Sequence, residues 1–273
     1  MNSQSEKADR FRALHEGPSV LVVPNPWDVG TARLLAGMGF EALASTSAGF
    51  AYTLGRPDYA VDRDQMMGHL AELAAATELP VTGDLENGYG AAPETVAETI
   101  RMAASAGLVG GSIEDATNQP DAPLYDVELA AERIRAAVEA ARALPFSFMV
   151  TARAENFMVG IGDLGDTIRR LQAYQEAGAD VLYAPALKTR EQIATLLREV
   201  DRPVNVVMGL KGVSLTLAEL EELGVRRVSI GSGFARVALG AFLEAAREVR
   251  EHGSFGFADR AISYADIGDL LRK

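Results

Sequence analysis

Apolar runs recur along the chain at intervals, and between them the apolar positions switch to a spacing of three and four. The runs are SVLVVP (19–24), EALAST (41–46), LPVTGD (79–84), LVGGSIED (108–115), FSFMVTAR (146–153), DVLYAP (180–185), PVNVVM (203–208) and RRVSIGSG (226–233), eight candidate strands. Helical spacing links Val96, Ile100 and Ala103 after Pro93, then Leu164, Ile168 and Leu171, then Phe234, Ala238, Phe242, Ala245 and Val249. Proline suits a helix's first turn, where the missing N–H would have no partner anyway. Gly-led turns at GMGF (37–40), SAGLVG (105–110), EAGADV (176–181) and ELGVRR (222–227) end helices ahead of strands.

Strands that alternate with helices predict a parallel sheet, and eight such units predict an α/β fold of the (β/α)8 TIM-barrel type. A doubly wound open sheet would carry G-x-G-x-x-G after its first strand, where this chain reads PNPWDVGTA. No linker or low-complexity segment divides residues 1–273, so one barrel domain is expected, with a C-terminal extension over about 252–273. Within that extension Ser263 is a candidate N-cap for a short last helix carrying Ile267, Leu270 and Leu271. Such a helix covers the barrel base or packs on a neighbouring subunit.

Composition narrows the function classes. Apolar residues make up 48% of the chain, enough for a substantial core. No run reaches the roughly 18 apolar residues of a membrane span, and the amino terminus, MNSQSEKADRFRALHEG, lacks the apolar stretch of a secretory signal. The absence of cysteine removes disulfides, thiolate metal sites and thiol nucleophiles. A cytoplasmic enzyme is expected. The formal net charge of -12 argues against nucleic acid or an anionic membrane as partner, since both demand a basic face. An anionic substrate then needs an arginine or a metal ion placed locally.

In a barrel, polar residues at the carboxyl ends of strands converge on one face. They are Asn25 and Asp28, then Ser45, Thr46 and Ser47, then Asp84 and Glu86, Glu114 and Asp115, Arg153 and Glu155, Tyr183, Asn205 and Ser232. Asn205, Asp84, Arg153 and Ser45 to Ser47 are candidate substrate contacts. Strands 3 and 4 are neighbours, so Asp84, Glu86 and Glu114 share a patch and raise one another's pKa unless a cation is present. Oxygen ligands without cysteine suit Mg²⁺ or Mn²⁺ better than zinc. The competing reading is a plain ion pair between Glu114 and Arg153 across the barrel mouth. His15, His69 and His252 fall in helical stretches or at their ends, and surface positions are expected for them. There is no G-x-S-x-G, H-E-x-x-H or G-x-x-x-x-G-K-[ST]. GSG at 231–233 has the composition of a phosphate cradle, but a strand-to-helix turn explains it as well. In VTGDLENGYG (81–90), Gly88 and Gly90 are expected to take backbone angles that other residues resist.

Taken together, GRPD (55–58), GDLENGYG (83–90), GGSIEDA (110–116) and TARAENF (151–157) resemble the isocitrate lyase/phosphoenolpyruvate mutase superfamily. They follow that family's loop Asp, D-x-D/E-x-G-[FY]-G segment, I-E-D strand end and A-R strand end, in order, and the likeness runs from PNPWDVGTARL to about strand 6. The resemblance implies a modified barrel whose last helix is exchanged between subunits, usually in tetramers. It also implies Mg²⁺ at Asp84, with Asp58, Glu86 and Glu114 holding metal-bound waters. By the same implication a 2-oxo acid chelates the metal, the backbone amides around Ser45, Thr46 and Ser47 hold its carboxylate, and Arg153 adds the cationic contact.

Departures from the family pattern bear on the reaction. Isocitrate and methylisocitrate lyases use a cysteine in a K-K-C-G-H loop, and this chain runs ATNQPDAPLYD there. Phosphonate-processing members place Lys after I-E-D, where this chain has Ala116, although Asn118 is available. Loop 116–126, with Pro120 and Pro123, is expected to act as a lid. What remains is a Mg²⁺-dependent enzyme acting on a small 2-oxo acid (mono- or dicarboxylate) by C–C cleavage, decarboxylation or hydrolysis, with Asp58, Arg153 and Glu114 as catalytic residues. Asp58 is the leading candidate for the general acid or base, ahead of Tyr52, Tyr183 and a metal-bound water. The alternatives are a P–C bond enzyme or an oxo-acid-binding protein without turnover.

Overall fold

The eight predicted strands all form, each shorter than its apolar run because only the segments that pair around the barrel meet strand geometry. A computed structural model describes residues 2–272. The strands are β1 (Leu21–Val23), β2 (Leu43–Ala44), β3 (Val81–Asp84), β4 (Gly110–Glu114), β5 (Met149–Arg153), β6 (Val181–Tyr183), β7 (Val204–Val207) and β8 (Arg227–Ser229). All ladders are parallel, and the order β1-β8-β7-β6-β5-β4-β3-β2 leaves only the β1/β2 seam without a ladder. There Ala44 N donates to Pro24 O at 3.0 Å, and Asn25 Nδ2 donates to Ser45 O at 2.8 Å. Asn25 Oδ1 also accepts from Ile230 N and Gly231 N at 2.8 and 2.9 Å. One buried side chain thus joins the carboxyl ends of three strands, and the result is a nearly closed (β/α)8 barrel of the TIM type.

The intervening helices bury the stripes that their spacing predicts. In α5 (Pro93–Ser105), Val96, Ile100 and Ala103 are fully buried, and in α7 (Leu164–Glu176) Leu171 is. Gly39, Gly107, Gly178 and Gly224 end helices at φ between 90° and 99°, the left-handed conformation that a side chain resists. The amino-terminal helix α1 (Gln4–Glu16), begun by a Ser3–Glu6 capping box, buries Ala8 and Phe11 against Leu21, Val109, Met149 and Val181. It plugs the amino-terminal end of the barrel.

Two histidines depart from expectation. His15 on α1 and His69 on α4 (Arg63–Ala75) are buried, whereas His252 is exposed. His15 meets Phe11 edge-on, and His69 stacks on Phe50 with ring centroids 3.7 Å apart. Burial pushes both imidazoles down to about 4, so they pack as neutral rings.

The helix that follows β8 behaves differently from the others. α10 (Gly233–His252) has the predicted apolar stripe, yet only Gly233 and Ala235 are buried, and Val237 and Phe242 are 73% and 66% exposed. Beyond it, α11 (Tyr264–Arg272) is capped by Ser263, whose Oγ accepts from Asp266 N at 3.1 Å. α11 lies on α2 (Val29–Gly37) of the same chain. A Cβ at Gly37 would come within 2.7 Å of Leu270 O, so glycine is what permits the contact.

Candidate active site

The carboxyl ends of β2, β3, β4 and β5 bring one arginine and a group of acids to the barrel mouth, as sequence position predicts. Arg153 ends β5. Its Nη1 donates to Asp84 Oδ1 at 3.0 Å, Nη2 contacts Glu114 Oε2 at 3.1 Å, and Nε donates to Glu155 Oε1 at 2.9 Å, with Nη2 also 2.8 Å from that oxygen. The predicted Glu114–Arg153 pair is present, inside a larger set. A guanidinium has five N–H donors. Nε and Nη1 each donate to a carboxylate, and Nη2 lies within ion-pair distance of Glu114 and Glu155.

Asp84 is fixed from the β2 side. Ser47 N and Oγ donate to its Oδ2 at 3.1 and 2.9 Å, while its own N–H donates to Ser45 Oγ at 2.8 Å. Ser47 Oγ is also 3.2 Å from Asp58 Oδ1, linking the two acids. Ser47 opens the short helix α3 (Ser47–Thr53), capped by Thr46. Of the three backbone amides expected to meet a carboxylate, Ser45 N is bonded to Thr82 O and Ser47 N to Asp84. The Thr46 amide has no acceptor among the described residues.

Next to Asp58 stands a residue that strand-end reasoning missed. Tyr59 has φ 62°, a strained conformation for a tyrosine, and its hydroxyl donates to Glu114 Oε1 at 2.8 Å. It arrives from a loop across the barrel mouth, so nothing in local spacing marks it. A second missed residue is Arg133 on α6 (Val127–Arg142). From full burial it donates to Glu114 O and Gly90 O, each at 3.1 Å, and to Asn87 O. It holds the GYG turn against the end of β4. In that turn Gly88 has φ 76°, as expected, but Gly90 does not have positive φ; Tyr89 does, at 62°. Gly90 is needed for space instead, since a Cβ would meet Thr95 Cγ2 at 2.7 Å.

These residues surround a cavity of about 140 Å³ whose walls include Ser45 to Ser47, Asp58, Tyr59, Asp84, Glu114, Arg153 and Asn205. Glu86, held at φ 49°, is not among its walls. Loop 116–126 also stays outside the walls, folded on itself by an Ala116–Leu124 bridge and a Thr117 N to Pro123 O bond of 2.9 Å. GSG at 231–233 is a turn: Gly231 N is taken by Asn25, and Gly233 N donates to Ile230 O at 3.1 Å.

Electrostatically the site carries more carboxylates than it balances. Asp58, Asp84, Glu86, Glu114 and Glu155 gather around the single guanidinium of Arg153. Burial, then Asp84 and Asp58, raise Glu86 to about 8, and burial raises Glu155 to about 7. Burial and Asp84 raise Asp58; burial raises Glu114 well above the carboxylate range against the pull of Arg153. Burial alone would lower Arg153, but Glu155, Glu114 and Asp84 hold it fully protonated. Burial and Glu114 keep the Tyr59 phenol protonated.

A hard cation would relieve this surplus. Among the described residues no three of His, Cys, Asp and Glu stand close enough to ligate one ion together. One direct carboxylate with the others reaching through water is the arrangement that Mg²⁺ prefers, so the donor set fits. Among the described residues no helix is long and apolar enough to cross a membrane.

Known proteins match along the same residues. The family model for phosphoenolpyruvate phosphomutase matches residues 11–250. A solved protein of Burkholderia cenocepacia J2315, provisionally named a lyase/mutase, superposes with a TM-score of 0.96 at 58% identity, over 99% of this chain and 97% of that one. The oxaloacetate decarboxylase of Rhodopseudomonas palustris (strain BisA53) is 29% identical over 273 residues, 96% of this chain and 90% of its own. The 2-methylisocitrate lyase of Bacillus subtilis (strain 168) is 27% identical over 262 residues, 93% of this chain and 85% of its own. The chain therefore belongs to the phosphoenolpyruvate phosphomutase family, within the isocitrate lyase/phosphoenolpyruvate mutase superfamily, and is a lyase-type enzyme.

Proposed function

We propose that this protein is a divalent-metal-dependent enzyme that breaks the bond to C3 of a 2-oxo acid through an enolate, as a C–C lyase, a decarboxylase or a hydrolase. The observation that carries this reading is the surplus of acids around Arg153, which asks for a cation beside a group already built to receive negative charge. Asp84, facing the cavity, would hold Mg²⁺ (or Mn²⁺) directly, with Asp58, Glu86 and Glu114 reaching it through water. A bound divalent ion supplies Lewis-acid stabilisation of charge on the keto oxygen.

The chain's own residues supply the rest. Arg153 adds fixed positive charge toward the same oxygen. The Ser45–Thr46–Ser47 corner receives the substrate carboxylate through the Thr46 amide, while the two serine hydroxyls hold Asp84 in place. The enolate needs one proton at carbon. Asp58, which burial and Asp84 raise, delivers it and recovers a proton from solvent, while Tyr59, donating to Glu114, holds that acid beside Arg153. Asn205, in the cavity wall, fixes Arg227 and Ser229.

A P–C bond reaction is the weaker reading, because buried Ala116 stands where phosphonate-processing relatives carry lysine. The uncovered apolar face of α10 supports a homo-oligomer, dimer or tetramer, in which a second copy covers that helix by exchange. Location in the cytoplasm completes the reading. The test is incubation with Mg²⁺ and oxaloacetate, 2-oxoglutarate, methylisocitrate or phosphonopyruvate, with products followed by NMR. Cleavage of an oxo or hydroxy acid at the C2–C3 or C3–C4 bond is expected. Turnover of phosphonopyruvate alone overturns the proposal, and so does binding without product.

A further inference from the structure

The cavity contains a second buried guanidinium, and its surroundings are the opposite of those of Arg153. Arg227, on β8, is only 4% exposed and lines the same cavity. Its Nε donates to Asn205 Oδ1 at 2.9 Å, and Asn205 is held in that orientation by donating Nδ2 to Ser229 Oγ at 3.0 Å. Nη1 has no partner at all, and among the described residues no carboxylate forms an ion pair with Arg227. Arg153 is overcompensated by three acids; Arg227 is compensated by none.

Keeping an ionised group out of water without a counter-charge is costly unless something pairs with it part of the time. Burial pushes Arg227 down to about 10, with Tyr183 the one neighbour that opposes the shift, so it remains a cation at neutral pH. His15, on the other side, is neutral and offers no counter-charge.

The register shows how the two arginines relate. Arg153, Tyr183, Asn205 and Arg227 are successive Cα partners on β5, β6, β7 and β8. The two residues are three strand spacings apart, roughly 14 Å along the curved sheet, and both line the same cavity. A small molecule lying in it is bounded by Arg153 at one end and by Arg227 along the wall.

We infer that Arg227 is the residue that seats the second acidic group of a 2-oxo diacid. This rests on the 2-oxo acid reading above and adds the specificity determinant to it: Asp84 and Arg153 recognise the oxo-acid end, and Arg227 selects the diacid. A seat of this kind rejects the analogue without the second carboxylate, since the buried cation is then left unpaired. Asn205 and Ser229 are positioning residues that aim the guanidinium.

The experiment compares binding of pyruvate, oxaloacetate, 2-oxoglutarate and succinate to the full-length protein with Mg²⁺, by calorimetry, for the wild type, Arg227→Gln and Arg227→Lys. The diacid 2-oxo acids should bind the wild type about 10- to 100-fold more tightly than pyruvate. In Arg227→Gln that ratio should fall to near one, and in Arg227→Lys it should be intermediate, because lysine keeps the charge but not the fork. A ratio unchanged in Arg227→Gln overturns the inference, as does a wild type that holds pyruvate as tightly as the diacids. Should Arg227→Gln not fold, the Arg227→Lys ratio decides: one equal to that of the wild type overturns it. If pyruvate fails to bind while succinate binds in an Arg227-dependent manner, the oxo-acid reading falls and the seat stands. Binding of none of the four overturns both.

Discussion

Arg153 is at once a structural and a chemical group, and that makes its replacement informative. Its guanidinium meets Asp84, Glu114 and Glu155 together, so the planar fork holds three acids around one charge. Lysine keeps the charge but not the geometry. Arg153→Lys is therefore expected to lower kcat/KM by roughly 10²–10³, measured by steady-state kinetics on whichever oxo acid is turned over. Asp58→Asn removes the proton donor and should lower kcat by about 10²-fold; an unchanged kcat would place the donor elsewhere. His69 makes a separate prediction about stability. Its imidazole titrates at about 4 when folded, below its ordinary value of 6.5, so the neutral form is the one that fits. The stability it contributes is complete above 6.5 and is lost as pH falls toward 4. Denaturant unfolding should show the wild type losing about 2 kcal/mol relative to His69→Phe between pH 7.5 and pH 5. Phenylalanine can stack on Phe50 without titrating.

Among the elements, those whose neighbours lie close in sequence were the ones most legible from it. The Pro93 start and the Val96, Ile100 and Ala103 stripe describe α5 as it folds, and Ser263 caps α11. α10 shows where a correct stripe stops being informative. Its spacing predicts a buried face, but it does not say which molecule buries it, and in this chain Val237 and Phe242 stand in solvent. A patch of that kind on a helix marks an interface. Phe242→Asp is expected to convert the assembly to monomers, read by light scattering after gel filtration, without loss of helical circular dichroism. An unchanged mass would show that α10 takes no part in assembly. Loop 116–126 lies outside the cavity walls, bridged within itself at Ala116–Leu124 and tied to the barrel by Asn87 and Arg170.

For the molecule as a whole, the acid surplus links metal to stability. A cation bound by the folded chain and not by the unfolded one stabilises it by mass action, about 2.7 kcal/mol at a hundredfold excess over Kd. Adding Mg²⁺ to chelator-treated protein should raise Tm by roughly 5 °C, followed by calorimetry, and the rise should vanish in Asp84→Ala. A rise that survives in Asp84→Ala would place the ion elsewhere.

Periodicity, Gly-led turns and the order of the strand-end motifs are local properties, carried by residues a few positions apart, and they suffice for a barrel with Asp84, Glu114 and Arg153 on its mouth. Short-range signals could not show that His15 and His69 are inside, that Gly90 is there for space and not for its backbone angle, or that Tyr59 reaches Glu114 across 55 positions of chain. Nor could they show that of two arginines on the barrel strands, Arg153 is ringed by acids while Arg227 faces the cavity unpaired. Burial and charge pairing are set by what the closed sheet brings together from distant strands, and only the tertiary structure decides that.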